Sequence, residues 1–320
     1  MWKSLLLTGA FLAALSSCGG GGGNGGGIPD PDPTPGPDPT PGTSTGVVTF
    51  TPDWGSLPTP SALRFHFYPA TGSVVTKEGD ATGCKATLES GTYRVLAYNT
   101  DATGVRYEHT DLYDKAAVQV TSASTRALSA INCPGNVYAL SMEGLGVEKE
   151  GAVSPKATVR AFVKHLKLNL SISNASTIQE LGGSLNGFLP SVLLSTGQPS
   201  SDAIGAAPST FSLFEVNLSG NSATVELPSL GMLDPGDGSA YSCELTLYIT
   251  DRDGLPLTTR VDVSKELTAI LAANGGVLPS GTPAALNLEL KVAENTYGLT
   301  LTATIKDWLA GGDTSIDLPN

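Results

Sequence analysis

Period-two alternation of apolar and polar side chains constrains this chain more than any other feature. In "HLKLNLSIS", Leu166, Leu168, Leu170 and Ile172 fall on one side, with Lys167, Asn169 and Ser171 on the other. "ALRFHFYP" sets Leu63, Phe65 and Phe67 against Arg64, His66 and Tyr68, and "YRVLAYN" sets Tyr93, Val95 and Ala97 against Arg94, Leu96 and Tyr98. "CELTLYIT", "LNLELKV" and "YGLTLTATI" repeat the pattern through Leu245–Ile249, Leu286–Val292 and Leu299–Ile305. Such alternation puts one face of each segment in a core and the other in water, which is the signature of half-buried antiparallel strands. Turn signals separate the segments: "SGT" at Ser90, "DPGDG" at Asp234 and "DRDG" at Asp251.

The expected fold class is therefore all-β. Only "SKELTAILAANGG" (Ser264–Gly276) has helical spacing, with Ser264 as N-cap and Gly275 as stop, and "TIQELG" near Thr177 predicts a single turn. About 275 residues follow Gly46, more than one typical sandwich holds, so two antiparallel β-sandwich domains are expected. The Gly-, Pro- and charge-rich "GLGVEKEGAVSPK" (Gly144–Lys156) marks the boundary, giving domains at 46–148 and 149–320.

The N-terminal 45 residues obey other rules. Met1-Trp2-Lys3 and the apolar "LLLTGAFLAAL" (Leu5–Leu15) have the form of a signal peptide over residues 1–17, too short to span a bilayer as a helix. "LSSC" resembles a bacterial lipobox, which implies that Cys18 takes a diacylglyceryl thioether and becomes an acylated N-terminus. Stable attachment then needs two or more acyl chains, at about 0.8 kcal/mol per buried CH₂. Residues 18–45 form the linker. Gly19–Gly27 is flexible coil broken by one asparagine, and "PDPTPG" occurs twice in tandem over Pro31–Gly42. Proline at alternate positions favours polyproline II, so those twelve residues reach roughly 37 Å at about 3.1 Å each. A hinge followed by a semi-rigid spacer makes a stalk.

Charge and chemistry narrow the function. The net charge is −12, and removing Lys3 makes it more negative. An acidic chain without a Lys/Arg cluster argues against nucleic acid as a partner. No CxxC pair, G-x-S-x-G, H-E-x-x-H or P-loop occurs. "YEHTDLYD" gathers Glu108, His109, Asp111 and Asp114, which reads as a solvated acidic loop rather than a metal site, because one loop seldom supplies convergent oxygen ligands. No catalytic, cofactor or metal residues are expected, and the chain is not expected to be an enzyme. Cys84, Cys133 and Cys243 allow one internal bridge; Cys84–Cys133 is preferred because both lie in the first predicted domain, with free buried thiols as the alternative. Trp54 and Trp308 are read as core plugs, with sugar-stacking platforms as the competing role.

"TFTPDWGSLPTPSALRFHFYPATG" (Thr49–Gly72) and "LESGTYRVLAYNTDATGVRYEHTD" (Leu88–Asp111) resemble the N-terminal domain of fimbrillin-like lipoproteins of Gram-negative gut and oral anaerobes. That family includes minor-fimbria anchor subunits and many uncharacterised relatives. The resemblance continues through "QELGGSLNGFLPSVLLSTGQPS" (Gln179–Ser200) to the ending "TATIKDWLAGGDTSIDL". It implies two tandem transthyretin-like sandwiches, attachment to the outer membrane through a lipid on Cys18, display at the cell surface, and a structural or anchor role in adhesive fimbriae. Fimbrial subunits joined by β-strand complementation are the implied partners. In stalk-forming members an Arg-specific protease removes the first strand. Here no Arg or Lys lies between Cys18 and Arg64, and Arg64 sits inside a predicted strand. The first strand should therefore stay attached, as suits an anchor. A glycan-binding accessory lipoprotein is the alternative, and a secreted hydrolase the third reading.

Overall fold

The alternating segments become strands. A computed structural model describes residues 44–123, 130–236, 241–295 and 298–311. The expected signal peptide, Cys18 and the expected linker up to residue 43 lie outside the described residues. The chain opens with β1 (Thr45–Asp53), β2 (Leu63–Pro69), β3 (Val75–Gly79), β4 (Cys84–Glu89) and β5 (Gly91–Asn99). Next come β6 (Val105–Glu108), β7 (Ala117–Val120), the short β8 (Ala130–Ile131) and the long β9 (Tyr138–Val147). Three short segments, β10 (Ala152–Val153), β11 (Lys156–Thr158) and β12 (Arg160–Ala161), lead into β13 (Lys164–Ser173), β14 (Ile178–Asn186) and β15 (Ser191–Leu193). Helix α1 (Ser201–Ala206), β16 (Phe211–Glu215) and β17 (Ser222–Ser229) follow. The chain then forms β18 (Glu244–Asp251), β19 (Pro256–Asp262), helix α2 (Ser264–Ala273), β20 (Ala284–Asn295) and β21 (Gly298–Leu309).

The strands assemble into two facing pairs of sheets. In the first pair, β1 is flanked by β4 on one edge and by β10 and β11 on the other; opposite it lies the sheet β12-β9-β5-β2-β3. Val48, Phe50, Phe65, Phe67 and Val95 fill the space between them. Each fully buried Phe or Val contributes about 1.5–3 kcal/mol relative to exposure. The second pair consists of β17-β13-β20-β21 and β19-β18-β14-β16-β8, closed over Leu166, Leu168, Leu286, Leu288, Leu245 and Leu247. The fold class is all-β.

Strand pairing crosses the expected 148/149 line. β10 and β11 pair with β1, and β12 pairs with β9. In return, β8 pairs with β16, and β15 with β7. Thr43–Asn320 forms one compact unit.

Two local expectations need correction. β2 and β5 are not half-buried. His66, Tyr68, Leu96 and Tyr98, on the supposedly outer face, are buried as well. The three-stranded ribbon β15-β7-β6 accompanies this second burial, bringing Val118 and Val192 into the same core as Leu96 and Tyr98. The "TIQELG" turn is displaced too: a single 3₁₀ turn covers Ala175–Thr177, and Gln179–Leu181 belong to β14, where Leu181 faces the core. Ladder pairing with β16 and β18 outweighs the local helical tendency of that stretch.

Val263 takes the N-cap position of α2, without a side-chain cap bond, and the expected N-cap Ser264 is instead the first helical residue. Its hydroxyl donates to Asp262 Oδ1 at 2.5 Å and accepts from the Cys243 N–H at 2.9 Å, tying the helix start to the end of β19 and to the residue before β18. The helix stops at Asn274, followed by Gly275 and Gly276 at positive φ. No helix among the described residues is long and apolar enough to cross a membrane.

Candidate functional site

The candidate site is the seat of β1, the strand that joins the fold to everything N-terminal of it. Gly46, Val48, Phe50 and Pro52 point inward, and Thr45, Thr49 and Asp53 are exposed. Val48 is 0% and Phe50 1% exposed, and the Phe50 ring meets Phe65 at 5.7 Å between centroids. β1 is laddered on both edges. Its antiparallel register with β4 runs from Thr45↔Glu89 to Phe50↔Cys84. On the other edge Val47 and Val48 pair in parallel with Ala152 and Val153, and Thr51, Pro52 and Asp53 with Lys156, Ala157 and Thr158. Further backbone bonds pin its length, from Val47 N–H to Gly151 O (2.8 Å) and Thr51 N–H to Pro155 O (3.0 Å).

Two glycines make that seat possible. A Cβ on Gly46 would stand 2.4 Å from Glu148 O, so only a bare backbone passes the β9–β10 connection. Gly83 has φ +119, and its Cβ would lie 1.8 Å from Phe50 O. Close approach and the positive-φ backbone both demand glycine there.

Arg64 is inside β2, with its backbone paired to Glu78 of β3 and Tyr98 of β5. Its side chain is bound to Glu78 at 2.8 Å, an ion pair that raises the guanidinium pKa further. A protease must lift an extended segment out of its ladder to cut it, and β2 is held on both edges.

The other residues singled out from sequence are dispersed. Glu108 pairs with Arg106 at 2.8 Å and Asp114 with Arg94 at 2.8 Å, while His109 turns the backbone at φ 52. The preferred disulfide does not form: Cys84 is buried in the smaller core, Cys133 is exposed beyond β8, and both are free, as is Cys243. Burial pushes the Cys84 thiol up to about 11 and raises Cys243 as well. Trp54 is half-buried against the smaller core; its indole N–H donates to Ala81 O at 2.8 Å and its ring meets Tyr138 edge-on at 5.7 Å. Trp308 is half-buried against the larger core. His165 and Glu226 sit 2.8 Å apart on paired strands.

Alternation did not reveal an aromatic stack on the covered face of β2 and β5. His66 lies 5.5 Å from Tyr98 and 6.0 Å from Tyr68, and Tyr107 stacks on Tyr98 at 4.1 Å. Tyr98 Oη and Thr76 Oγ1 flank the two ring nitrogens of His66 at 3.1 and 3.2 Å. Burial, assisted by Arg64, pushes the His66 imidazole down to about 4. The available signal was the run Arg64–Tyr68, in which polar-face positions hold His and Tyr rather than Lys or Glu.

Residues 43–205 match the family described as "Domain of unknown function (DUF5119)". None of the curated proteins matches the chain. Among solved structures, a candidate adhesin of Bacteroides ovatus shares the fold at 17% identity and TM-score 0.58, over 87% of this chain and 95% of that one. The fimbrial anchor protein Mfa2 of Porphyromonas gingivalis aligns at 11% identity and TM-score 0.48, over 83% of this chain and 98% of its own. A candidate polysaccharide-binding protein (DUF1812) of Bacteroides thetaiotaomicron aligns at 9% identity and TM-score 0.45, over 83% of this chain and 97% of that one.

Proposed function

Because the chain belongs to the family described as Domain of unknown function (DUF5119), we propose a role from its own residues: a non-enzymatic adhesion protein of the outer-membrane surface. It is tethered through a lipid on Cys18 and serves as an anchor or stationary subunit of adhesive fimbriae. The observation that carries this reading is the seat of β1, a strand buried on its inner face and laddered on both edges. A tether attached to such a strand transmits force into the first pair of sheets without unravelling it. The lipobox-like "LSSC" and the Gly/Pro stalk supply the attachment and the reach, and the fold shared with a candidate adhesin accords with a surface role. In this reading the first strand is retained for the life of the protein, so the chain accepts fimbrial partners at other strand edges rather than by vacating its own groove.

Filaments sheared from the cells that make this protein test the proposal. The protein should remain with the cell envelope and cap the base of a minority of sheared filaments. Its absence from every filament preparation, together with unchanged filament attachment after gene deletion, would exclude the anchor role. Loss of binding to a glycan array on Trp54→Ala or Trp308→Ala would favour the carbohydrate reading instead.

A further inference from the structure

A cavity of about 370 Å³ opens at the start of β13, between the loops that precede α1 and follow α2. That volume falls in the range of roughly 300–1,000 Å³ typical of small-molecule sites. Its floor is apolar: Phe162, Leu189, Leu230, Met232 and Leu278 are all buried. Ile204 of α1 and Val277 line its mouth at 42% and 51% exposure, two large apolar side chains left in water.

Two cations share this apolar wall, and they differ in how far they are committed. Arg160 is occupied: its guanidinium donates to the carbonyls of Leu194, Ser195 and Thr196 and to Ser141 Oγ, fixing the loop that forms one rim. Burial lowers its pKa. Lys164 donates to the hydroxyl of Ser280. Among the described residues neither cation forms an ion pair with a carboxylate. Burial alone pulls the Lys164 ammonium below its ordinary range. Asp234 also lines the cavity, and its Oδ1 accepts from Gly236 N–H and Thr268 Oγ1.

We propose that this cavity binds a small amphipathic monocarboxylate, its hydrocarbon body on Phe162, Leu189, Leu230, Met232 and Leu278 and its carboxylate on Lys164. A partly desolvated ammonium beside an apolar floor is complementary to a molecule with one negative end and one greasy end. A dianionic head fits less well, because Arg160 is held by backbone carbonyls and Asp234 repels a second negative charge.

Calorimetric titration of the full chain carrying Cys18→Ser, with octanoate, octanol and octyl phosphate as probes, tests this. Octanoate should bind one to one and more tightly than the other two. Lys164→Met should weaken octanoate by about tenfold or more, the loss of one charge-assisted hydrogen bond, while leaving octanol unchanged. Val277→Trp, made at an exposed position, should block the mouth to octanoate and octanol alike without moving the thermal midpoint. The proposal is overturned if octanoate does not bind, if octanol or octyl phosphate binds as well as octanoate, or if octanoate binding survives both substitutions.

Discussion

Gly83 and His66 show how single residues hold this fold to narrow tolerances. Gly83→Ala places a methyl group 1.8 Å from Phe50 O at a φ of +119, so β1 or the β3–β4 turn must shift. A loss of about 2–3 kcal/mol in urea unfolding is expected, with Gly55→Ala, at φ +53 and open around its Cβ, costing less. His66 makes stability depend on pH. Its folded pKa of about 4 lies below the ordinary 6.5, so between those values the unfolded chain binds a proton that the folded chain refuses. The penalty is absent above about pH 6.5, grows as pH falls, and levels off below about pH 4 at roughly 3 kcal/mol. Burial and, to a lesser degree, Arg64 widen this window, and Glu78 narrows it. His66→Gln should flatten the fall in urea midpoint between about pH 6.5 and 4; an unchanged slope would assign the acid sensitivity to other groups.

Among the elements, β1 and the β15-β7-β6 ribbon carry the most consequence. Phe50→Ala removes a ring 1% exposed from the smaller core and should cost about 3–5 kcal/mol, whereas Thr49→Ala on the exposed face should stay within about 0.5 kcal/mol. An Arg-specific protease added to the folded protein should leave Arg64 uncut, because β2 is paired on both sides; cleavage there under native conditions would mean that the first sheets open readily. The strands around Arg64 were legible because alternation needs only neighbouring residues. The ribbon was not: β6 and β7 are four residues each, and β15 arrives from about 70 positions later to pair Val192 with Val118. Burial of Leu96 and Tyr98 followed from that distant cover, although apolar residues at polar-face positions already hinted at it.

The whole molecule, in the proposed role, is a body on a leash. Cys18→Ser should move the protein from the envelope fraction to the soluble fraction with its unfolding transition unchanged; continued partitioning with lipid would remove the tether from the proposal. Local chemistry made much of this chain readable before any fold was known. A β-strand declares itself every second residue, and a turn needs Gly, Asp or Pro at a given spot. The sequence by itself therefore determined an all-β body and the place of α2, and supplied the case for a tether. What only the tertiary structure decided is who meets whom: β10 and β11 beside β1, β13 running parallel to β20, the free state of Cys84 and Cys133, and Arg160 and Lys164 at one apolar cavity. Those pairings depend on registers between segments tens to more than a hundred residues apart, where energy is gained only after the chain has closed on itself.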